Sequence, residues 1–186
     1  MRDKIMSEVY VNFNLEINPA SAQAFFKIIE NQLSSGMKEL NLLISSPGGN
    51  VDSGIAIYNL LKGLPIEVTT HNYGSCDSIA SLIFCAGIKR YTVNNSRFLI
   101  HGIGITIQNQ RFNESQLSET LNSIKNQRGT ISKIIAKECK KKLEDVENDM
   151  LRGIILTPQE AIDYGLVTEI KDGLIPRGIN FINVSL

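Results

Sequence analysis

Between residues 40 and 101 short apolar runs alternate with amphipathic stretches, and turn residues separate them. Residues 40–45, Leu-Asn-Leu-Leu-Ile-Ser, form one such run. It is short and bounded by turn residues, which suits a buried strand. Ser46-Pro47-Gly48-Gly49-Asn50 is a sharp turn signal, and the spacing of Ile55, Ala56, Tyr58, Leu60 and Leu61 predicts a helix over 52–63. Residues 66–71 form another strand. Gly74 then leads into an apolar helix ending at Gly87, and strands over 90–93 and 98–100 follow, the second delivering His101. The same logic runs upstream. Residues 8–17 alternate apolar with polar as a half-buried strand does. Pro19 and Ser21 open a helix over 19–34 with Ala24, Phe25, Ile28, Ile29 and Leu33 on one stripe. Strands separated by helices pair in parallel through crossovers, so the pattern predicts an α/β domain with a largely parallel sheet.

After His101 the character changes. Residues 102–107 alternate glycine or threonine with isoleucine, like an exposed strand or one paired to a partner. A helix over 114–140 is rich in Gln, Asn, Ser, Lys and Glu, with a thin apolar seam of Leu117, Leu121, Ile124, Ile131, Ile134 and Ile135. Such a helix packs partly against something outside its own core. A short helix over 158–164, a strand over 166–170 and a tail that docks or adds a last strand complete the chain. No repeat or linker divides the 186 residues, which read as a single domain.

Lys plus Arg and Asp plus Glu both number 19, which argues against nucleic-acid binding by bulk charge and leaves little repulsion against self-association. No apolar run is long enough to span a bilayer, and the first residues lack the apolar stretch of a signal peptide. Cys76, Cys85 and Cys139 form no metal-binding spacing, so free thiols in the cytoplasm are expected, with no metal and no cofactor.

Ser78 lies between a strand and an apolar helix. A serine at such a turn is held where the following backbone N–H points into a site, and the helix N-terminus supplies partial positive charge for an oxyanion. His101, at the end of a strand, occupies a position where α/β sheets place ligand-facing groups. Its imidazole can take the serine proton and return it to a leaving group. His71, within Thr69-Thr70-His71-Asn72, reads as a strand-end residue. The glycines of Ser46-Pro47-Gly48-Gly49 admit a substrate backbone closely and offer a second oxyanion N–H.

Taken in order, these motifs resemble the Clp protease proteolytic subunit, within the wider crotonase-like superfamily. The likeness begins with Leu43-Ile44-Ser45-Ser46-Pro47-Gly48-Gly49 and Gly54-Ile55-Ala56-Ile57-Tyr58. It continues through Gly74-Ser75-Cys76-Asp77-Ser78, Ala86-Gly87 and Asn95-Ser96-Arg97-Phe98-Leu99-Ile100-His101. It resumes at Thr157-Pro158-Gln159-Glu160-Ala161 and Tyr164-Gly165-Leu166-Val167. The resemblance implies an α/β spiral of ββα units with a protruding handle, a strand and a long helix over about 102–140. It implies Ser78 as nucleophile, His101 as base, and the Gly49 and Ile79 N–H groups as the oxyanion hole. It further implies peptide or unfolded-protein substrates, bound by strand addition inside a homo-oligomeric ring or stacked rings.

Three departures stand out. The family's acid falls on Gly153, which cannot hold an imidazole; Asp149, four residues earlier, is a candidate replacement, and a Ser–His dyad backed by a carbonyl or water is equally open. Losing the acid lowers a triad's rate by about 10⁴-fold. Asp77 stands where the family has a small apolar residue; it acts on His101 if close and otherwise caps the following helix, the reading favoured here. The segment before the first strand is short, which argues against coupling to a ring ATPase of the AAA+ class. Ser78-Ile79-Ala80-Ser81 also resembles phage-type and signal-peptide-peptidase-like relatives. Two other readings stay open: a catalytically weak or inactive scaffold subunit, for which Gly153 speaks, and a crotonase-like acyl-CoA enzyme.

Overall fold

The computed structural model describes residues 8–105 and 111–186. Strand β1 (Glu8–Phe13) is followed by helix α1 (Pro19–Ser34). The Asn18 side chain accepts from the Ser21 N–H at 2.9 Å, while the Ser21 hydroxyl accepts from the Asn18 N–H at 3.0 Å, and Pro19 supplies a preset first turn. Strand β2 (Glu39–Ser46) leads through the Pro47–Gly49 turn into α2 (Val51–Gly63), whose start is capped by the Asn50 side chain accepting from Ser53 N–H at 2.8 Å.

Strand β3 (Glu67–Asp77) is longer than its apolar run. It pairs with β4 (Lys89–Thr92) over Thr69–Asn72 and with β5 (Arg97–Ile100) over Ser75–Asp77. The chain changes neighbours at Tyr73-Gly74. Expectation ended this strand at His71 and began a helix near Gly74. Instead the backbone stays extended to Asp77, and α3 (Ile79–Phe84) is a short apolar helix behind it. His71 is therefore an interior strand residue, not a strand end.

Helix α4 (Glu114–Cys139) matches the expected long helix. Its buried residues, Ile131, Ser132, Ile135, Ala136 and Cys139, all lie in its second half, while Leu117 and Leu121 in the first half stand exposed. Two elements were not expected: α5 (Leu143–Arg152), ended by Gly153 at φ +71°, and β6 (Ile154–Leu156). Helix α6 (Pro158–Tyr164), β7 (Glu169–Ile170) and β8 (Phe181–Asn183) follow, β8 pairing with β1 as the tail's last strand.

The sheet runs in the order β6-β5-β3-β2-β1-β8, with β4 joining β3 to β7. Every pairing is parallel except β5 with β6. The parallel α/β expectation holds. The core gathers on Phe25, Phe84, Phe98, Leu40, Leu42 and Ile57, all below 2% exposed, with the Phe84 and Phe98 rings edge to face at 4.9 Å. Residues 101–105 belong to no strand; 106 and 107, the end of the expected handle strand, lie outside the described residues. Among the described residues no helix is long and apolar enough to cross a membrane, and no cluster of three His, Cys, Asp or Glu side chains forms.

Candidate active site

The register of three strands assembles the site. Asp77 at the end of β3 pairs with Leu99 of β5, and Ile100 of β5 pairs with Ile154 of β6. The residues just beyond, Ser78, His101 and Gly153, therefore lie at the same end of the three strands. Ser78 has φ +57° and ψ −127°, a backbone conformation that a residue with a Cβ rarely adopts. Its N–H donates to the Leu99 carbonyl at 2.8 Å, fixing the turn from below. The Ser81 hydroxyl donates to the Cys76 carbonyl at 2.8 Å and braces it from behind.

The Pro47–Gly49 turn closes over this elbow. A Cβ on Gly48, which has φ +91°, would lie 2.7 Å from both the Ser78 Cβ and the Asp77 carbonyl oxygen. Only glycine fits there. On either side of Gly49, Ile17 N–H donates to the Gly48 carbonyl at 2.8 Å and Asn50 N–H to the Ile17 carbonyl at 2.7 Å. Those bonds leave the Gly49 N–H turned away from Ile17. The Ile79 N–H opens α3 and has no intrahelical acceptor. Among the described residues neither N–H donates to another protein group.

Ser78, Ile79, Gly49 and His101 all line one cleft of about 390 Å³. Its walls are otherwise largely apolar: Val51, Ile100, Ile103, Ile105, Ile131 and Met150. The α4 seam and Met150 of α5 are thus site residues that the sequence reading did not place here; the seam's second half was the signal. No carboxylate of the described residues lines the cleft. Ser78 and His101 share the space without a hydrogen bond between them, a looseness common before substrate binds.

Among the described residues no carboxylate bonds His101. A Cβ built on Gly153 would lie 3.7 Å from the His101 Cβ and meet nothing else within 4 Å. Asp149 is occupied elsewhere: Arg152 Nη2 donates to its Oδ1 at 2.5 Å and the Tyr164 hydroxyl to its Oδ2 at 3.1 Å. Burial and the Asp149 carboxylate together push the Tyr164 phenol well above its usual range, so it stays a donor. Asp77 also differs from expectation. It caps no helix; its carboxylate accepts from Arg97 Nη2 at 2.7 Å, and its other oxygen is buried without a partner. A buried aspartate within an apolar stretch needs such a cation, which was the signal available for Arg97.

His71 stands apart from the cleft. It is 2% exposed, its ring lies 5.0 Å from that of Tyr91, and burial, helped by the Lys171 charge, lowers its pKa to about 4.

A largely parallel eight-stranded sheet, with a strained serine turn where β3 ends, a glycine turn over it and a long half-exposed helix beside it, has the fold of the Clp proteolytic subunits. A point mutant of ClpP1 from Listeria monocytogenes matches it with a TM-score of 0.79 and 26% identity, over 91% of this chain and 95% of that one. The Clp protease family model matches residues 1–173. The chain belongs to the Clp protease family, a family of peptidases.

Proposed function

We propose that this chain is a serine-type endopeptidase acting through an acyl-enzyme on Ser78. The observation that carries the reading is the strained Ser78 turn, φ +57°, placed in one cleft with His101 and the unengaged N–H groups of Gly49 and Ile79. Ser78 Oγ attacks the peptide carbonyl as His101 takes its proton. The Gly49 and Ile79 N–H groups hold the oxyanion. The tetrahedral adduct collapses, the C–N bond breaks, and His101 returns the proton to the amine. Water, deprotonated by His101, then releases the acid and restores Ser78.

Val51, Ile103, Ile131 and Met150 favour an apolar side chain next to the scissile bond. Residues 102–105 offer an edge along which an extended peptide adds as a strand. In this reading residues 1–186 are one peptidase domain, with a handle over about 102–140 joining copies into rings around peptide or unfolded-protein substrates. The exposed Leu117 and Leu121 of the handle supply apolar contact for that assembly.

A second reading, a weak or inactive scaffold subunit, is favoured by one observation: among the described residues no carboxylate bonds His101, and the position beside it is Gly153. The acyl-CoA reading needs a carboxylate base, and none of the described residues that line the cleft carries one. Intact-mass measurement after fluorophosphonate treatment, with Ser78→Ala as control, separates these. One adduct on the wild type and none on the variant is expected. No adduct on a folded, assembled wild type would sink the peptidase reading in favour of the scaffold.

A further inference from the structure

The cleft beside Ser78 does not end at its apolar walls. Gly49, Val51, Ile103, Gly104 and Ile105 also line a second cavity of about 360 Å³, so the two adjoin. One face of α4 runs along both. Ile131 and Ile135 line the first cavity. Thr120, Ser123 and Gln127, set back at helical spacing with Ile124 among them, line the second. Along that stripe the chemistry changes from aliphatic to mainly uncharged polar within one turn.

The hydrogen bonds already made there fix what is left to offer. Gln127 Nε2 donates to Asp52 Oδ1 at 3.0 Å, which leaves the Gln127 side-chain carbonyl as an acceptor. The Thr120 hydroxyl donates to the Gln116 carbonyl at 2.7 Å, which leaves the lone pairs of its oxygen. Asn50 Oδ1 accepts from the Ser53 N–H at 2.8 Å, which leaves the Asn50 NH₂ group as a donor. Ser123 adds a hydroxyl that can do either. Among the described residues no charged side chain lines this cavity, so an ionised ligand group would find no counterion there. A carboxamide, uncharged and carrying two N–H donors and one carbonyl, complements the set.

We propose that this second cavity is a specificity subsite that takes an Asn or Gln side chain of a peptide, two residues from the apolar side chain held beside Ser78. The inference rests on the peptidase reading of the Ser78 cleft and names the substrate class that cleft selects. In an extended peptide laid along residues 102–105, alternate side chains point the same way about 7 Å apart. Gln127 lies one turn, about 6 Å, from Ile131 along α4. The two spacings match. The carboxamide donates to the Gln127 carbonyl and the Thr120 oxygen and accepts from Asn50. Leucine, close to asparagine in shape, would displace water from those groups and return no hydrogen bond. Thr120, Ser123 and Gln127 are then specificity-determining residues that take no part in the bond-breaking steps.

The test measures protection of Ser78, so it needs no turnover. The full chain is labelled with a fluorophosphonate in the presence of alanine-based peptides that carry one methionine as apolar anchor. Asparagine or leucine stands two residues before the anchor or two residues after it. At one of those two positions the asparagine peptide is expected to half-protect Ser78 at a concentration at least about fivefold below that of its leucine counterpart. In Gln127→Leu and in Thr120→Val that preference is expected to disappear or reverse. If Gln127→Leu fails to fold, Thr120→Val, which leaves the Asp52 bond in place, decides. Leucine equal to or better than asparagine at both positions, or no protection by any peptide while Ser78 still takes the label, overturns the subsite and leaves the peptidase reading standing. An asparagine preference undiminished in the folded variants overturns it as well. A wild type whose Ser78 takes no label sinks the peptidase reading and the subsite with it.

Discussion

Gly153 stands directly behind His101: the β5–β6 register pairs Ile100 with Ile154, and a Cβ on the glycine would lie 3.7 Å from the histidine Cβ. The place where a carboxylate would hold the imidazole is therefore vacant, and the backbone there permits filling it. At φ +71° aspartate and asparagine are the non-glycine residues least penalised. Gly153→Asp is expected to raise the rate of Ser78 labelling by fluorophosphonate at least about tenfold, toward the roughly 10⁴-fold that a triad acid contributes. Gly153→Asn carries the same strain and nearly the same shape without the charge, and is expected to give little gain. Equal rates for both variants would show that His101 is supported by another group.

Gly48 tests the roof of the elbow. Gly48→Ala places a methyl 2.7 Å from backbone and Cβ atoms that cannot swing aside, at φ +91°. A loss of at least about 2 kcal/mol in chemical denaturation is expected from the strain alone. Ser78 labelling is expected to fall with it even at temperatures where the variant is folded, because relief requires moving the Ser78 turn. A variant with wild-type stability and labelling would contradict the close packing of the two turns.

How far the sequence disclosed this arrangement depended on whether a feature is local. Residues 40–45 and 98–100 announce buried strands because apolar runs and turns are properties of the chain itself. The second half of β3 does not: Tyr73-Gly74-Ser75 reads as a turn, and stays extended only because β5 replaces β4 as its neighbour there. Helix α5 was overlooked because it buries little besides Val146, Asp149 and Met150. Ser78, His101, Gly49 and Ile79 were legible as candidates from motif order, and the fold brings them into one cleft. Asp149 was the natural substitute acid by proximity in sequence, yet it sits a turn back on α5, where Arg152 and Tyr164 hold it.

Asp77 and Arg97 make a pair whose parts are worth less than their separation. The Asp77 side chain is 8% exposed and that of Arg97 58%. Arg97→Gln leaves a nearly buried carboxylate without its strongest donor, at a cost of about 1–3 kcal/mol. Asp77→Ala removes charge and donor requirement together and is expected to be near neutral. In the double variant the Arg97→Gln penalty is expected to vanish. Equal penalties in the presence and absence of Asp77, measured by urea midpoints, would show that Arg97 acts through other contacts.

His71 sets an acid limit on stability. Its folded pKa, about 4, lies below the unfolded value of 6.5, because burial between strands disfavours the charged ring and Lys171 adds repulsion. Below the unfolded value the unfolded chain binds the proton more readily than the native one. Stability is thus complete above about pH 6.5 and declines as pH falls toward 4. The shift corresponds to a loss of about 3 kcal/mol across that window. His71→Leu removes the titrating group while keeping an apolar partner for Tyr91, which lies beside it in β4. The difference in unfolding free energy between pH 7 and pH 4.5, measured in urea, is expected to shrink by about 2–3 kcal/mol in the variant. An unchanged difference would mean that carboxylates elsewhere govern the acid response and that His71 already accepts a proton in the native state.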